Sequence, residues 1–113
     1  MRDLVAAKQS CMKIQQLQKQ AGLASELLKV MASRSRLLIL CQLLDGEKSV
    51  QDLEVKLKLK QSALSQHLAI LRREKFVKTR REAQFIYYSL ARDEIITVLE
   101  ALYSVYCAPS KAK

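Results

Sequence analysis

The chain has 113 residues, half of them hydrophobic, with two glycines and one proline. This composition excludes an intrinsically disordered chain and predicts one mainly helical domain, residues 1–113, with few loops. Twenty lysines and arginines against eleven acidic residues give a formal charge of +9, which favours a polyanionic partner over an uncharged one.

The sequence carries no signal for a membrane or an oxidising compartment. No apolar run approaches the about 18 residues of a membrane span, and the N-terminus lacks the apolar core of a signal peptide. Three cysteines are an odd number and argue against a disulfide framework. We therefore expect a cytoplasmic protein without a membrane partner.

The first part of the chain reads as three helices. The pattern predicts a polar helix over 3–20, a break at Gly22, and helices over 23–32 and 34–44. The apolar stripe of the first helix is too thin to hold it alone, so we expect it to dock on a partner. In the third, "LLILCQLL" is apolar nearly all round, which is typical of a buried central helix.

The middle of the chain predicts a helix-turn-helix over residues 49–74. Ser49 and Asp52 have the spacing of a capping box at the start of its first helix, and the second helix is predicted over 61–74. The segments "FVKTR" and "FIYYSL" then alternate and are rich in β-branched and aromatic residues, which predicts a hairpin, the wing, over 76–90. Its turn "REAQ" has no glycine, so it is either longer than two residues or strained.

A last helix is predicted over 94–107, with Asp93 as its N-cap and an apolar side of Ile95, Leu99, Leu102 and Tyr106. Two short helices joined by a tight turn and followed by a hairpin form a winged helix-turn-helix. The fold class is therefore mainly α with a small β-hairpin. In this arrangement the second helix of the pair enters the major groove of DNA.

The second helix of the pair, "QSALSQHLAILRR", has two different sides. Leu64, Leu68 and Leu71 form its core face, and the opposite side is polar with a basic end. A local charge of +5 over residues 72–81 follows. Short polar side chains can reach base edges and basic ones reach phosphates. The residues predicted to contact DNA are Gln61, Ser62, Ser65, Gln66, His67, Arg72, Arg73, Lys78, Arg80 and Arg81.

Over residues 24–107 the chain resembles the ArsR/SmtB family of dimeric repressors, most specifically in "QSALSQHLAILRR" and "RREAQFIYY". "LILC", ending at Cys41, and "LYSVYC", ending at Cys107, resemble the thiol-based, persulfide-responsive BigR/SqrR-like subgroup and its HlyU-like relatives. The resemblance implies a homodimer through helices 3–20 and 94–107. It also implies binding to double-stranded operator DNA when reduced, and release when reactive sulfur species bridge Cys41 and Cys107. The regulated genes would serve sulfide detoxification. Lys60 departs from the family, which has a capping serine there.

The residues alone leave other roles open for the cysteines. Cys41 shares a helical face with Leu37 and Leu44 and could be a small buried hydrophobe. Cys107 could be a free terminal thiol, and Cys11 could be filler on the first helix.

Other functions would need residues that the sequence lacks or arranges differently. A metal site needs three or four ligands at fixed spacing, and we find none, so no metal and no cofactor is expected. A thiol enzyme would need an activated cysteine with a base or a Cys-x-x-Cys, so no enzyme is expected. The alternatives are a peroxide-responsive or virulence-type regulator, which could act as an anti-repressor, a metal-sensing repressor, and a protein–protein module.

Overall fold

The computed structural model describes residues 13–107, which form five helices and one three-stranded antiparallel sheet. The elements are α1 (Ile14–Met31), α2 (Arg34–Leu44), β1 (Lys48–Ser49), α3 (Val50–Leu57), α4 (Gln61–Arg73), β2 (Val77–Glu82), β3 (Phe85–Leu90) and α5 (Asp93–Tyr106). The chain divides into two compact units, Met1–Ala32 and Ser33–Lys113.

The helix of the first unit, α1, is continuous through Gly22, so the predicted break there is wrong. One glycine costs a helix only about 1 kcal/mol relative to alanine, and the neighbours of Gly22 are good helix formers. Large apolar side chains of α1 are exposed, among them Ile14, Leu17, Leu23 and Leu28. Residues 3–12 of the predicted first helix lie outside the described residues.

In the second unit, α2 is the central helix that the sequence predicted. The Oγ of Ser33 caps it by accepting the backbone N–H of Arg36 at 3.3 Å. Its buried side chains are those of Ile39, Leu40 and Leu43. The helix packs against α3, α4, α5 and β3, and it ends at Leu44. The element that carries Cys41 therefore supports both the helix-turn-helix and α5.

The helix-turn-helix consists of α3 and α4. The predicted capping box at Ser49 is confirmed, because Ser49 Oγ accepts the Asp52 N–H at 3.1 Å and Asp52 Oδ2 accepts the Ser49 N–H at 3.3 Å. Lys58 ends α3 in the left-handed conformation, with φ of 55°. As Lys60 predicts, α4 begins without a side-chain cap. The core positions Leu64, Leu68 and Leu71 are buried, as the leucine spacing predicted.

The wing is the hairpin β2–β3, paired from Val77 opposite Leu90 to Glu82 opposite Phe85. Its loop is two residues long, and Ala83 has φ of 57°, so the strained alternative is the observed one. A third strand, β1, pairs with β3 and gives the order β1-β3-β2. The sequence did not predict β1, because two residues are too few to produce an alternating pattern.

The last helix, α5, starts one residue earlier than expected, and its N-cap is Arg92. The expected cap at Asp93 is wrong, since Asp93 lies inside the first turn, where its carboxylate still faces the positive end of the helix dipole. On the predicted apolar side, Ile95 and Leu99 are buried, whereas Tyr106 is 81% exposed.

Together, α3, α4 and the sheet form the predicted winged helix-turn-helix. None of the helices within residues 13–107 is long and apolar enough to cross a membrane.

Candidate functional site: a DNA-reading face and a thiol groove

The exposed side of α4 carries the polar residues that the sequence singled out. Its N-terminal half presents Gln61, Ser62, Ser65 and Gln66 to solvent, while the leucines on the opposite side anchor the helix in the core. We call these four residues, with the exposed Ala69, Arg72 and Arg73, the reading face. The first N–H groups of an α-helix lack helical partners and lie at the positive end of its dipole, which suits a nearby phosphate.

A concavity of about 570 Å³ adjoins the C-terminal half of the reading face. It joins α4 to the start of α3 and to β3, and its lining includes three cations, a serine and a tyrosine. The lining residues are Val50, Ser65, Leu68, Ala69, Arg72, Arg73, Lys75 and Tyr88. Such a basic hollow can hold a phosphate group of a nucleic acid backbone.

The three cations of this concavity differ in whether they form an ion pair. The Nε of Arg73 lies 3.4 Å from Glu74 Oε2. Neither Arg72 nor Lys75 forms an ion pair with any residue of the described segment 13–107. Both are exposed, so their charges are available to a polyanion.

The predicted basic residues of the wing lie on two different sides of the sheet. Successive side chains of a strand point to opposite faces, so Lys78 and Arg80 share one face and Arg81 lies on the other. Thr79 pairs with Tyr88, and Arg80 pairs with Tyr87. Arg81 is therefore on the face of Tyr88, which lines the basic concavity, whereas Arg80 is on the face of Tyr87.

Arg80 is bound within the molecule. Its Nε and Nη2 donate to Glu47, with the shortest contact 2.6 Å from Nη2 to Oε1. Its Nη1 donates to Glu82 Oε1 at 2.7 Å, and its guanidinium carbon lies 4.7 Å from the centre of the Tyr87 ring. The hydrogen bond from Arg80 is the main cause that lowers the pKa of Glu47, and the same bond with that to Glu82 raises the pKa of Arg80.

His67 does not lie fully on the reading face. It is half-buried, and Arg36 Nη1 lies 3.5 Å from its Nδ1, at the limit of a hydrogen bond. This contact joins α4 to α2, so the imidazole points partly toward the supporting helix.

Cys41 and Cys107 line one groove. Its volume is about 420 Å³, and its other lining residues are Leu37, Leu44, Leu102, Tyr103 and Tyr106. We call these seven residues the thiol groove. Both cysteines are free thiols and both are exposed, so the interpretation of Cys41 as a buried hydrophobe is wrong. It does share its face with Leu37 and Leu44, but that face borders an open groove. Cys11 lies outside the described residues.

Two causes raise the pKa of Cys41. The larger is desolvation by the apolar side chains around its sulfur, and the smaller is the nearby Cys107, whose negative charge when ionised disfavours a second thiolate. Cys41 is thus an exposed residue whose thiol is nonetheless partly desolvated. Because both cysteines line the same groove, they are neighbours in the fold.

Within residues 13–107 no group of three or more histidine, cysteine, aspartate or glutamate side chains is placed to hold an ion.

Three residues of this site escaped the sequence analysis. Lys75 lines the basic concavity and lies within the predicted run of positive charge, but no pattern singled it out. Tyr88 lines the basic concavity, and strand alternation could have placed it there only if the hairpin register had been known. Glu47 holds Arg80, and no local pattern connects residues so far apart in the chain.

The comparisons with known proteins agree with this architecture. Residues 33–79 match the family described as "Bacterial regulatory protein, arsR family". The chain is 50% identical over 96 residues to the "Transcriptional activator HlyU" of Vibrio cholerae, covering 85% of this chain and 89% of the relative. It is 45% identical over 95 residues to the "Biofilm growth-associated repressor" of Agrobacterium fabrum, covering 84% and 81%.

Solved structures give the same result. Reduced HlyU from Vibrio cholerae superposes with a TM-score of 0.81 at 49% identity, covering 84% of this chain and 100% of that one. The transcriptional repressor BigR from Xylella fastidiosa superposes with a TM-score of 0.78 at 36% identity, covering 86% and 99%. This protein is a DNA-binding transcriptional regulator and not an enzyme, and it belongs to the ArsR family of bacterial regulatory proteins.

Proposed function

We propose that this protein is a dithiol-based repressor. In its reduced form it binds operator DNA as a homodimer, and it is released when reactive sulfur species bridge Cys41 and Cys107. The genes it controls would serve sulfide detoxification, and a chromosomal operator would place the protein in the cytoplasm. The observation that carries the proposal is that the two free thiols, 66 positions apart in the chain (107 minus 41), line the same groove.

The reading face supplies the proposed DNA contacts. Gln61, Ser62, Ser65 and Gln66 would address base edges in the major groove, where glutamine pairs well with adenine. The predicted phosphate contacts are Arg72, Arg73, Lys78, Arg80 and Arg81, and His67 has a minor part at the edge of the face. Lys75 and Tyr88 join them, since both line the basic concavity.

A homodimer would set the spacing of two reading faces. Half-sites on one side of a duplex lie about 34–36 Å apart, so both α4 helices must be held at that separation. Exposed apolar side chains on α1 and α5, such as Leu17, Leu28 and Val105, support the proposal that these helices form the contact between subunits.

The switch chemistry is thiol exchange with a persulfide, R–S–SH. One cysteine thiolate attacks the terminal sulfur of the donor, which releases RSH and leaves a cysteine persulfide. This persulfide takes a terminal sulfur from a second donor in the same way, releasing another RSH. The second cysteine then attacks the middle sulfur and displaces hydrogen sulfide, which leaves a three-sulfur bridge. Two donors are thus reduced as the two thiols are oxidised.

The packing of α2 supplies the coupling. Cys41 lies in α2, which packs on both helices of the helix-turn-helix, and Cys107 ends α5. A bridge between them would shift α2 relative to α5 and change the spacing of the two reading faces. The bridge acts as a switch only if the two thiol states differ in DNA affinity.

A gel-shift experiment on the promoter of the protein's own operon tests the proposal. Reduced protein should shift the DNA, and persulfide-treated protein should not. The Cys107→Ser variant should bind equally well and fail to release, whereas Cys11→Ser should both bind and release. Release of Cys107→Ser by persulfide would refute the dithiol mechanism.

Mass spectrometry distinguishes the inducer. Treatment with persulfide should give a Cys41–Cys107 cross-link heavier than a plain disulfide by the mass of added sulfur. A plain disulfide formed with peroxide, together with release from DNA only under peroxide, would indicate the peroxide-responsive alternative.

Activation rather than repression is a second candidate, favoured by the 50% identity to a relative named as a transcriptional activator. The two are separated by transcript levels after deletion of the gene. Repressed genes should rise, and genes that this protein activates or protects from another repressor should fall.

A further inference from the structure

We propose that Arg80 is a wing-positioning residue that fixes β2 to the connection after α2, and that it makes no contact with DNA phosphates. This inference rests on the operator binding proposed above and changes the role of one predicted contact. It leaves Arg81 as the arginine of the wing that meets the DNA.

The contacts of Arg80 already use all three nitrogens of its guanidinium. Nε and Nη2 hold both oxygens of Glu47, at 3.0 Å and 2.6 Å, and Nη1 holds Glu82 at 2.7 Å. The Tyr87 ring covers the plane of the group. Because arginine presents a rigid planar fork, these partners fix the direction of the side chain as well as its charge.

The position of Glu47 makes this contact a clamp across the sheet. Glu47 immediately precedes β1, and Arg80 lies on β2, while the strand order is β1-β3-β2. The ion pair therefore spans the central strand β3 over Tyr87. Since β1 follows directly from the connection after α2, the clamp ties the wing to the part of the chain that leaves α2.

The local charge is unsuited to a phosphate. One guanidinium faces two carboxylates, so a phosphate that approached Arg80 would meet an excess of negative charge. Arg81 lacks these neighbours: it forms no ion pair within residues 13–107 and lies on the face of Tyr88. Arg80 thus binds carboxylates of its own chain, whereas the adjacent Arg81 is available to a DNA phosphate.

The salt dependence of operator binding by the full chain tests this assignment. The slope of log affinity against log salt concentration is negative, and each lost phosphate contact makes it less steep by about 0.9. Arg81→Gln should show this change for each wing. Arg80→Gln should weaken specific binding with a clearly smaller change of slope than Arg81→Gln, because it loosens the wing but removes no side chain that binds a phosphate.

A conservative variant provides the control for charge. Arg80→Lys keeps the positive charge but cannot hold Glu47 and Glu82 together, so it should weaken binding as Arg80→Gln does. A phosphate contact would instead be largely preserved by lysine. In a double-mutant cycle, Glu47→Gln should add little to the loss caused by Arg80→Gln, since both break the same contact.

Amide hydrogen exchange of the DNA-free protein gives a second, independent measurement. Exchange of the β2 and β3 amides should become several-fold faster in Arg80→Gln and remain unchanged in Arg81→Gln.

The outcomes separate the two proposals. The role of Arg80 would be overturned if Arg80→Gln made the salt dependence of binding less steep by about 0.9 per wing. It would also be overturned if the wing amides of that variant exchanged at the wild-type rate. Operator binding would stand in both cases. Wild-type protein with no salt-dependent affinity for its operator would overturn both.

Discussion

The reading face and the thiol groove belong to the same folded unit but are opposite in chemistry. The reading face is polar and basic, and a row of leucines on the reverse of α4 anchors it. The thiol groove is lined by three leucines, two tyrosines and the two cysteines, with no basic or acidic side chain among these lining residues. Both regions rest on α2, which carries Cys41 and packs on α4. The comparison teaches that recognition and sensing can stay chemically separate and still be mechanically linked through one buried helix.

The largest expected effect is the loss of folding stability when a buried leucine beneath the reading face is shortened. Leu68→Ala should lower the free energy of unfolding by about 2–5 kcal/mol, because Leu68 is buried beneath the reading face and its removal leaves a cavity. Leu102→Ala, in the half-buried wall of the thiol groove, should cost clearly less. Denaturant unfolding of both variants measures the difference, and equal losses would show that the groove is as well packed as the core.

The next prediction concerns a substitution in the reading face that leaves the thiol groove unchanged. Ser65→Asp places a carboxylate in the basic concavity, where like-charge repulsion from a phosphate costs several kcal/mol. Operator affinity should fall by about 100-fold or more. Ser65→Ala, which removes the hydroxyl and adds no charge, should fall much less. Fluorescence anisotropy measures both, and similar losses would place Ser65 away from the phosphates.

The third prediction concerns pH and applies only to the groove. The pKa of Cys41 is raised, so at neutral pH its reactive thiolate is scarcer than for an ordinary cysteine. In a Cys11→Ser background, alkylation of Cys41 should accelerate about tenfold per pH unit up to a midpoint above the ordinary value of about 8.5. The rate of Cys41 alkylation is measured by peptide mass spectrometry.

Replacing Cys107 by serine refines this pH measurement. It removes the smaller of the two causes that raise the pKa of Cys41, the charge of Cys107. The midpoint of Cys41 alkylation should therefore move down but stay above the ordinary value, because the apolar surroundings remain. A midpoint below the ordinary value in either variant would contradict the desolvated position of the Cys41 sulfur.

The smallest effect is expected at the start of α3. Ser49→Ala removes the hydroxyl that accepts the Asp52 N–H and should cost about 1 kcal/mol of stability. Ser49→Thr keeps a hydroxyl at this position and should retain most of the cap. Thermal unfolding measures both, and the reactivity of the thiol groove should not change in either variant. A changed rate of Cys41 alkylation would mean that the two regions are more tightly coupled than their packing suggests.

Local patterns explain which parts of the fold could be predicted. The leucine spacing of α4 and the capping box at Ser49 each depend on residues within two helical turns, and both are confirmed. The break at Gly22 failed because glycine only lowers helix propensity, and its neighbours outweighed it. The strand β1 consists of two residues and exists because β3 offers them a partner, which no local pattern records.

The candidate site, too, could be predicted from the sequence only in part. Helical periodicity placed Cys41 beside Leu37 and Leu44, but periodicity does not tell whether a face is covered by another element. The charge of Arg80 was plain in the sequence, whereas its partner Glu47 lies 33 positions away. Which residues share a surface thus depended on the register of the sheet and on helix packing, both of which arise only in the folded chain.

The tip of the wing has a practical consequence. Ala83 holds a left-handed backbone that alanine seldom adopts, because the six residue pairs of the β2–β3 ladder impose a two-residue closure. The shape of the tip is therefore dictated by the ladder, and its own side chains are dispensable. An experimenter could replace Gln84 with a cysteine carrying a fluorescent dye, in a background where the native thiols are serines. Such a reporter would follow the approach of the hairpin to DNA in real time.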